Sequence, residues 1–300
     1  MIQTHNLTKE FNGTLAVERL NLEVGEGEVF GFLGPNGAGK TTTIRLLTSL
    51  IAPTSGGAIV NGYTIGEEDR KIRQTVGILT ESPGLYDSLS AEYNLQIYAN
   101  LYEVKDVRGQ VEKYLRMLDL WDRRQDEAGT FSKGMKQKLA IARAIIHEPR
   151  ILFLDEPTAG LDPEASHLVR EFIEELRKQG RTIFMCTHNL DEADRLCDKI
   201  GVFKTRLLTL DTPSNLRTQL FGRKVVFHLS HVEETYLTLL RSMPFIKEAK
   251  AVDNKLVATL DDPENQNPEI VRNLVEAGAE IRFVGELRHS LEDVYLQLVK

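Results

Sequence analysis

Gly34-Pro35-Asn36-Gly37-Ala38-Gly39-Lys40-Thr41 decides how this chain is read. The pattern is G-x-x-x-x-G-K-[ST], a loop that cradles phosphate. Before it, Val29-Phe30-Gly31-Phe32-Leu33 is apolar and reads as a buried strand. After it, Ile44, Leu47 and Leu50 fall at helical spacing in a segment from Thr42 to Leu50. Strand, glycine-rich turn and helix form the context the motif needs. Glycine lets the backbone curl around an anion without Cβ clashes. The free N–H groups and the dipole of the helix start then face the phosphates. The expected nucleotide contacts are Gly34, Pro35, Asn36, Gly37, Ala38, Gly39, Lys40, Thr41 and Thr42. Lys40 would reach the β- and γ-phosphates, and the Thr41 hydroxyl would ligate Mg²⁺.

A second stretch supplies acids. Ile151-Leu152-Phe153-Leu154-Asp155-Glu156 is an apolar run ending in two carboxylates. A buried strand delivers both to one end of a sheet, beside the phosphate loop. Asp155 can hold Mg²⁺, as phosphoryl transfer requires. Glu156 can accept a proton from the attacking water. Phe11 lies 29 residues before Lys40 and reads either as a core aromatic or as a platform for an adenine ring. Its position favours the platform.

Composition sets limits. Three hundred residues with 41% apolar content suffice for one large or two ordinary domains. The formal charge of −7 argues against a nucleic-acid groove or an anionic membrane surface as main partner. Two cysteines, Cys186 and Cys197, give no disulfide framework and fit a reducing cytosol. Cys186, His188 and Cys197 lack a fourth ligand at sensible spacing, so the thiols read as buried apolar groups. The N-terminus is not a signal peptide, and no window of 18 apolar residues would span a bilayer.

Strands and helices alternate to about residue 210, which predicts an α/β fold with a largely parallel sheet. Helical spacing from Ala91 to His147 predicts an insert, about 85–147, between strands of that core. Ser132 can N-cap its last helix. Pro163-Glu164 opens a further helix that Gly180 closes, and Thr182 to Cys186 is another buried strand. Near residue 220 the texture changes. The rest predicts βαββαβα, a small α+β domain, with Asn267-Pro268 opening one helix and Ser290-Leu291-Glu292-Asp293 capping the last. The expected domains are 1–220 and 221–300.

These motifs together resemble the nucleotide-binding subunit of an ATP-binding cassette (ABC) transporter, over roughly residues 2–215. Gly34 to Thr41 resembles Walker A, and Asp155 and Glu156 resemble the Walker B acids. Phe131-Ser132-Lys133-Gly134-Met135 resembles the family signature. Ala159-Gly160-Leu161-Asp162 resembles the D-loop, His188 the switch histidine and Phe11 the adenine-stacking aromatic. The resemblance implies a P-loop ATPase that binds ATP and Mg²⁺ and dimerises head to tail around two nucleotides. Walker A of one subunit would hold each ATP, and Ser132 and Gly134 of the other would contact its γ-phosphate. His188 would sense that phosphate, with Glu156 and Lys40 the other catalytic groups. Asp162 would link the two sites.

Two positions depart from the pattern. Glu81 stands where the family has glutamine. Facing a γ-phosphate bare, it would be repelled by roughly 3 kcal/mol. It is therefore expected to act through Mg²⁺ or a water, or to point away, with Glu81→Gln leaving hydrolysis within about tenfold. Lys133 stands where glycine is common and is expected to point to solvent.

The signature, the Thr80-Glu81 loop and the C-terminal Ser290 to Tyr295 resemble the ABC-2-type exporter branch, in which ATPase and permease are separate chains. That implies a cytoplasmic protein held at the inner face of the membrane by a transmembrane permease, with a second ATPase subunit. A homodimer is favoured because each chain could complete both sites. The last 80 residues resemble the branch's accessory domain, whose role could be dimer support, regulation or simple stabilisation. The alternative is a soluble ABC-family ATPase acting on nucleic acid or ribosomes. A single cassette, no heptad run and a net negative charge stand against it.

Overall fold

The computed structural model describes residues 1–80, 82, 84–287 and 289–299. Two compact units divide the chain, 1–212 and 213–300. The expected break at 220/221 falls at the end of a helix, Pro213–Phe221, that groups with the second unit.

In the first unit, β1 (Ile2–Phe11) and β2 (Thr14–Val24) form a hairpin, followed by β3 (Val29–Leu33), α1 (Lys40–Leu47), β4 (Ser55–Val60) and β5 (Tyr63–Thr64). Next come α2 (Asp69–Thr75), β6 (Val76–Leu79) and the insert helices α3 (Ala91–Leu101), α4 (Val107–Met117) and α5 (Lys133–Ile145). The unit closes with β7 (Ile151–Asp155), α6 (Pro163–Lys178), β8 (Thr182–Thr187), α7 (Leu190–Leu196), β9 (Lys199–Lys204) and β10 (Arg206–Asp211).

One sheet, in the order β2-β1-β4-β5, is antiparallel. The other, β10-β9-β3-β8-β7-β6, is parallel except for β10. β3, β7 and β8 are buried at every residue, as central strands covered on both faces must be. Their aromatics knit the core. The Phe30 and Phe184 rings lie 5.3 Å apart, Phe32 and Phe203 4.5 Å, and Phe153 and Phe184 5.6 Å.

The register places the site. Leu33 pairs with Thr187, and Asp155 with Cys186, so β3, β8 and β7 are neighbours that end level. The residues that follow each strand, Gly34, Glu156 and His188, therefore emerge along one edge. In open α/β sheets that carboxyl edge is where ligands bind.

The second unit contains α8 (Pro213–Phe221), β11 (Arg223–Leu229), α9 (Glu234–Ser242), β12 (Glu248–Val252), β13 (Lys255–Leu260), α10 (Pro263–Glu276), β14 (Ile281–Leu287) and α11 (Leu291–Val299). Its antiparallel sheet runs β12-β13-β11-β14. Val225, Phe227, Leu256 and Ala258 pack with Tyr236, Leu240, Ile270 and Leu274 from α9 and α10. The helix expected to open at Asn267-Pro268 opens earlier, at Pro263, with Asp262 as N-cap, and Pro268 lies inside it. Both sites carry an Asx-Pro start signal, and the first of them has its proline buried. The last cap follows the sequence: Ser290 Oγ accepts the Asp293 N–H at 3.1 Å, and Asp293 Oδ2 accepts the Ser290 N–H at 2.9 Å.

Candidate functional site

The loop after β3 wraps an open cleft of about 470 Å³ lined by residues 35–42, Ala16, Asp155, Glu156, Ala159 and His188. Gly39 shows why glycine is needed. Its φ is +103°, and a Cβ there would meet the Ala16 carbonyl oxygen at 2.1 Å. Gly34 is buried behind the cleft, where a Cβ would lie 2.2 Å from the Phe203 carbonyl oxygen. The loop thus runs too close to neighbouring backbone for any side chain at these two positions.

Lys40 opens α1 and is buried. Its Nζ donates to the Gly34 and Pro35 carbonyls at 2.7 and 3.4 Å and lies 3.7 Å from Glu156 Oε1. The Thr41 hydroxyl donates to Asp155 Oδ2 at 2.7 Å. Two of the residues expected to hold Mg²⁺ therefore touch, and both offer the hard oxygen donors that ion prefers. Glu156 Oε2 stands 2.8 Å from His188 Nδ1 and accepts the His188 backbone N–H at 3.4 Å. The carboxylate is 14% exposed and the imidazole 62%. Glu156 itself has φ +53°, a left-handed conformation that a side chain adopts only when its surroundings over-determine it.

Other expected contacts stand apart from this cleft. Phe11 ends β1 at the hairpin tip, 46% exposed, with Lys9 Nζ 4.9 Å from the ring centroid. It does not line the cleft. Ser132 caps α5, its Oγ accepting the Met135 N–H at 3.2 Å, and Gly134 lies in the first turn. Asp162 caps α6, accepting the Ala165 N–H at 2.8 Å. None of these three lines the cleft of its own chain. Glu81 lies outside the described residues.

Lys133 does not simply point away. It is exposed, but its side chain lies across the D-loop glycine: a Cβ built on Gly160 would be 2.1 Å from Lys133 Nζ. A second link was not legible in the sequence. Gln137, one turn into α5, is buried and donates from Nε2 to the Pro157 carbonyl at 2.7 Å, tying the signature helix to the residue after Glu156. The two cysteines are buried, and burial pushes both thiols up from their ordinary range. Among the described residues no cluster of three His, Cys, Asp or Glu could hold a metal, and no helix is long and apolar enough to cross a membrane.

Comparison with known proteins follows this geometry. The family described as ABC transporter matches residues 17–159. The linearmycin resistance ATP-binding protein of Bacillus subtilis is 31% identical over 279 residues, covering 92% of this chain and 89% of its own. The bacitracin transport ATP-binding protein of Bacillus licheniformis is 33% identical over 300 residues, 100% of this chain and 97% of its own. The chain belongs to the ABC transporter ATP-binding proteins.

This ABC ATPase has its phosphate loop and its two adjacent acids at the carboxyl edge of the parallel strands. A solved ATP-binding subunit of an ABC transporter is 32% identical with a TM-score of 0.67, covering 73% of this chain and 92% of that one. A bacterial ABC transporter cassette solved as a dimer is 25% identical with a TM-score of 0.65, over 71% of this chain and 98% of that one.

Proposed function

We propose that this ABC ATPase binds and hydrolyses ATP to drive export through a separate transmembrane permease, working as a pair of subunits with two ATP molecules between them. The observation that carries the reading is the Glu156 carboxylate held between Lys40 and His188 at the mouth of the phosphate loop. Residues 35–42 would embrace the phosphates, with Lys40 neutralising their charge. Thr41 and Asp155 would hold Mg²⁺, which neutralises charge developing on the phosphate oxygens when bound. Glu156 would take the proton of the attacking water, and His188 would orient that carboxylate. Ser132, Gly134 and Asp162 do not line their own cleft, which fits a role toward the nucleotide of a second copy. Phe11, also outside the cleft, would meet adenine once nucleotide is bound. ATP hydrolysis by the purified protein should require Mg²⁺. Activity that persists in excess EDTA would contradict the assigned ligands.

The exporter reading leans on its relatives. The Nod factor export ATP-binding protein I of Rhizobium sp. is 32% identical over 300 residues, 99% of this chain and 96% of its own. The two relatives above bear linearmycin resistance and bacitracin transport in their names. Among the described residues no helix is long and apolar enough to cross a membrane, which is compatible with a permease on a separate chain that would hold the protein at the cytoplasmic face of the membrane. A groove lined by Leu50, Ile78, Thr80, Tyr98, Tyr102 and Arg143 opens between the sheet and the insert. Arg143 shapes its floor, donating to the Gly84 and Ile78 carbonyls at 3.2 Å each. A short amphipathic helix of the permease fits such a groove. Tyr86 stands at the adjoining loop, 50% exposed. Leu85→Asp and Tyr86→Asp are each expected to abolish transport while leaving basal ATP hydrolysis within about twofold. Full transport by both variants would place the permease elsewhere.

A further inference from the structure

One buried carboxylate has no part in the scheme above. Glu192 lies on α7 with 2% of its surface exposed. Its Oε2 accepts the Thr187 hydroxyl at 3.3 Å. The Thr187 oxygen in turn accepts the Asn189 N–H at 3.0 Å, and Asn189 Oδ1 accepts the Glu192 N–H at 3.1 Å. This closed ring of hydrogen bonds fixes the residues on both sides of His188. Oε1 is sealed from solvent and has no aligned donor. Beside the carboxyl stands the Thr158 hydroxyl, with the Arg170 guanidinium of α6 and the Glu156 carboxylate also within electrostatic reach. Thr158 is two residues after Glu156, in the segment that leads into the D-loop. A single side chain thus bonds the segment that carries His188 and stands beside the one that follows Glu156.

Burial opposes ionisation of this acid and raises its pKa above the ordinary range, only partly offset by the two threonines. Enclosing such a group is costly unless its bonds do something. Nearby, Glu156 keeps a left-handed backbone that needs support from its surroundings. His188 is mostly exposed, so little packing restrains the ring itself.

We propose that Glu192 is a positioning residue that locks Glu156 and His188 into their working geometry, bracing Thr158 on one side and Thr187 on the other. This rests on the reading of Glu156 as general base. A displacement of about 1 Å in such a pair can lower turnover on the order of 10²-fold without touching the substrate.

The test compares Glu192→Ala, Glu192→Gln and Thr187→Val with the parent protein. The readouts are kcat, the KM for ATP, equilibrium binding of a fluorescent ATP analogue and the unfolding midpoint. Glu192→Ala should lower kcat by on the order of 10- to 100-fold, with KM and analogue binding within about threefold. Glu192→Gln keeps the shape and can still accept the Thr187 hydroxyl through its amide oxygen, and should restore kcat to within about threefold. Thr187→Val removes the hydroxyl that joins Glu192 Oε2 to the Asn189 N–H and should lower kcat with binding intact, which carries the test if Glu192→Ala does not fold. Normal turnover in Glu192→Ala or Thr187→Val, kcat and binding falling in parallel, or no rescue by glutamine would overturn the proposal. Glu156→Gln in the same assay separates the two readings. An active Glu156→Gln enzyme removes the base itself, whereas a dead one beside a normal Glu192→Ala removes only the brace.

Discussion

Glu156→Gln should lower the steady-state rate of ATP hydrolysis by on the order of 10²- to 10⁴-fold, the usual worth of a positioned general base. The substitution keeps the size and the hydrogen-bonding reach of the side chain. It removes the lone pair that takes a proton and the negative charge beside Lys40 and His188. ATP binding should survive, because the phosphate loop and Lys40 are untouched. Loss of that charge leaves Lys40 free to serve the phosphates alone, so nucleotide affinity is expected to stay level or rise. A protein that binds but does not hydrolyse should accumulate in its ATP-bound form. Light scattering of Glu156→Gln with Mg²⁺ and ATP should therefore give a mass near twice that of the chain, falling to one chain without nucleotide. An enzyme as fast as the parent would show that the proton goes elsewhere.

Lys40→Ala should weaken ATP binding by on the order of 10- to 150-fold, the equivalent of one hydrogen bond to a charged group. Lys40 is the only cation lining the cleft among its described residues, and it already bonds the loop's own carbonyls, so it is held in place before any phosphate arrives. Its removal also leaves Glu156, 14% exposed, without the ammonium beside it. Arginine should not rescue, because a planar fork does not fit where a compact point charge sits under the loop. Titration calorimetry with ATP measures the loss directly. Unchanged affinity in Lys40→Ala would mean that the loop does not hold the phosphates.

Much of the site was legible because its parts are local. A glycine loop between a buried strand and a helix, or two acids after an apolar run, are each written within a dozen residues. Their convergence follows from three parallel strands that end level. Contacts between segments far apart in sequence were not legible. Gln137 bonding the Pro157 carbonyl, or Lys133 laid over Gly160, joins residues 20 or more apart whose pairing no spacing rule encodes. Glu192 was hidden differently. It stands between two exposed acids, Asp191 and Asp194, and α7 turns this one carboxylate inward. In the second unit, two Asx-Pro pairs five residues apart gave equal start signals, and local chemistry alone could not rank them. The nucleotide contacts proposed for Ser132, Gly134 and Asp162 are of a third kind. None of these residues lines its own cleft, so the proposed contacts would need a second copy to complete them.

We propose that this ATPase works on a separate membrane protein. Affinity purification of the tagged chain from its native membranes in mild detergent tests it most directly. The account predicts co-purification of a polytopic membrane protein at about one copy per one or two ATPase chains, retained in Glu156→Gln and lost in Tyr86→Asp. A clean dimer of the ATPase with no membrane protein attached would contradict it.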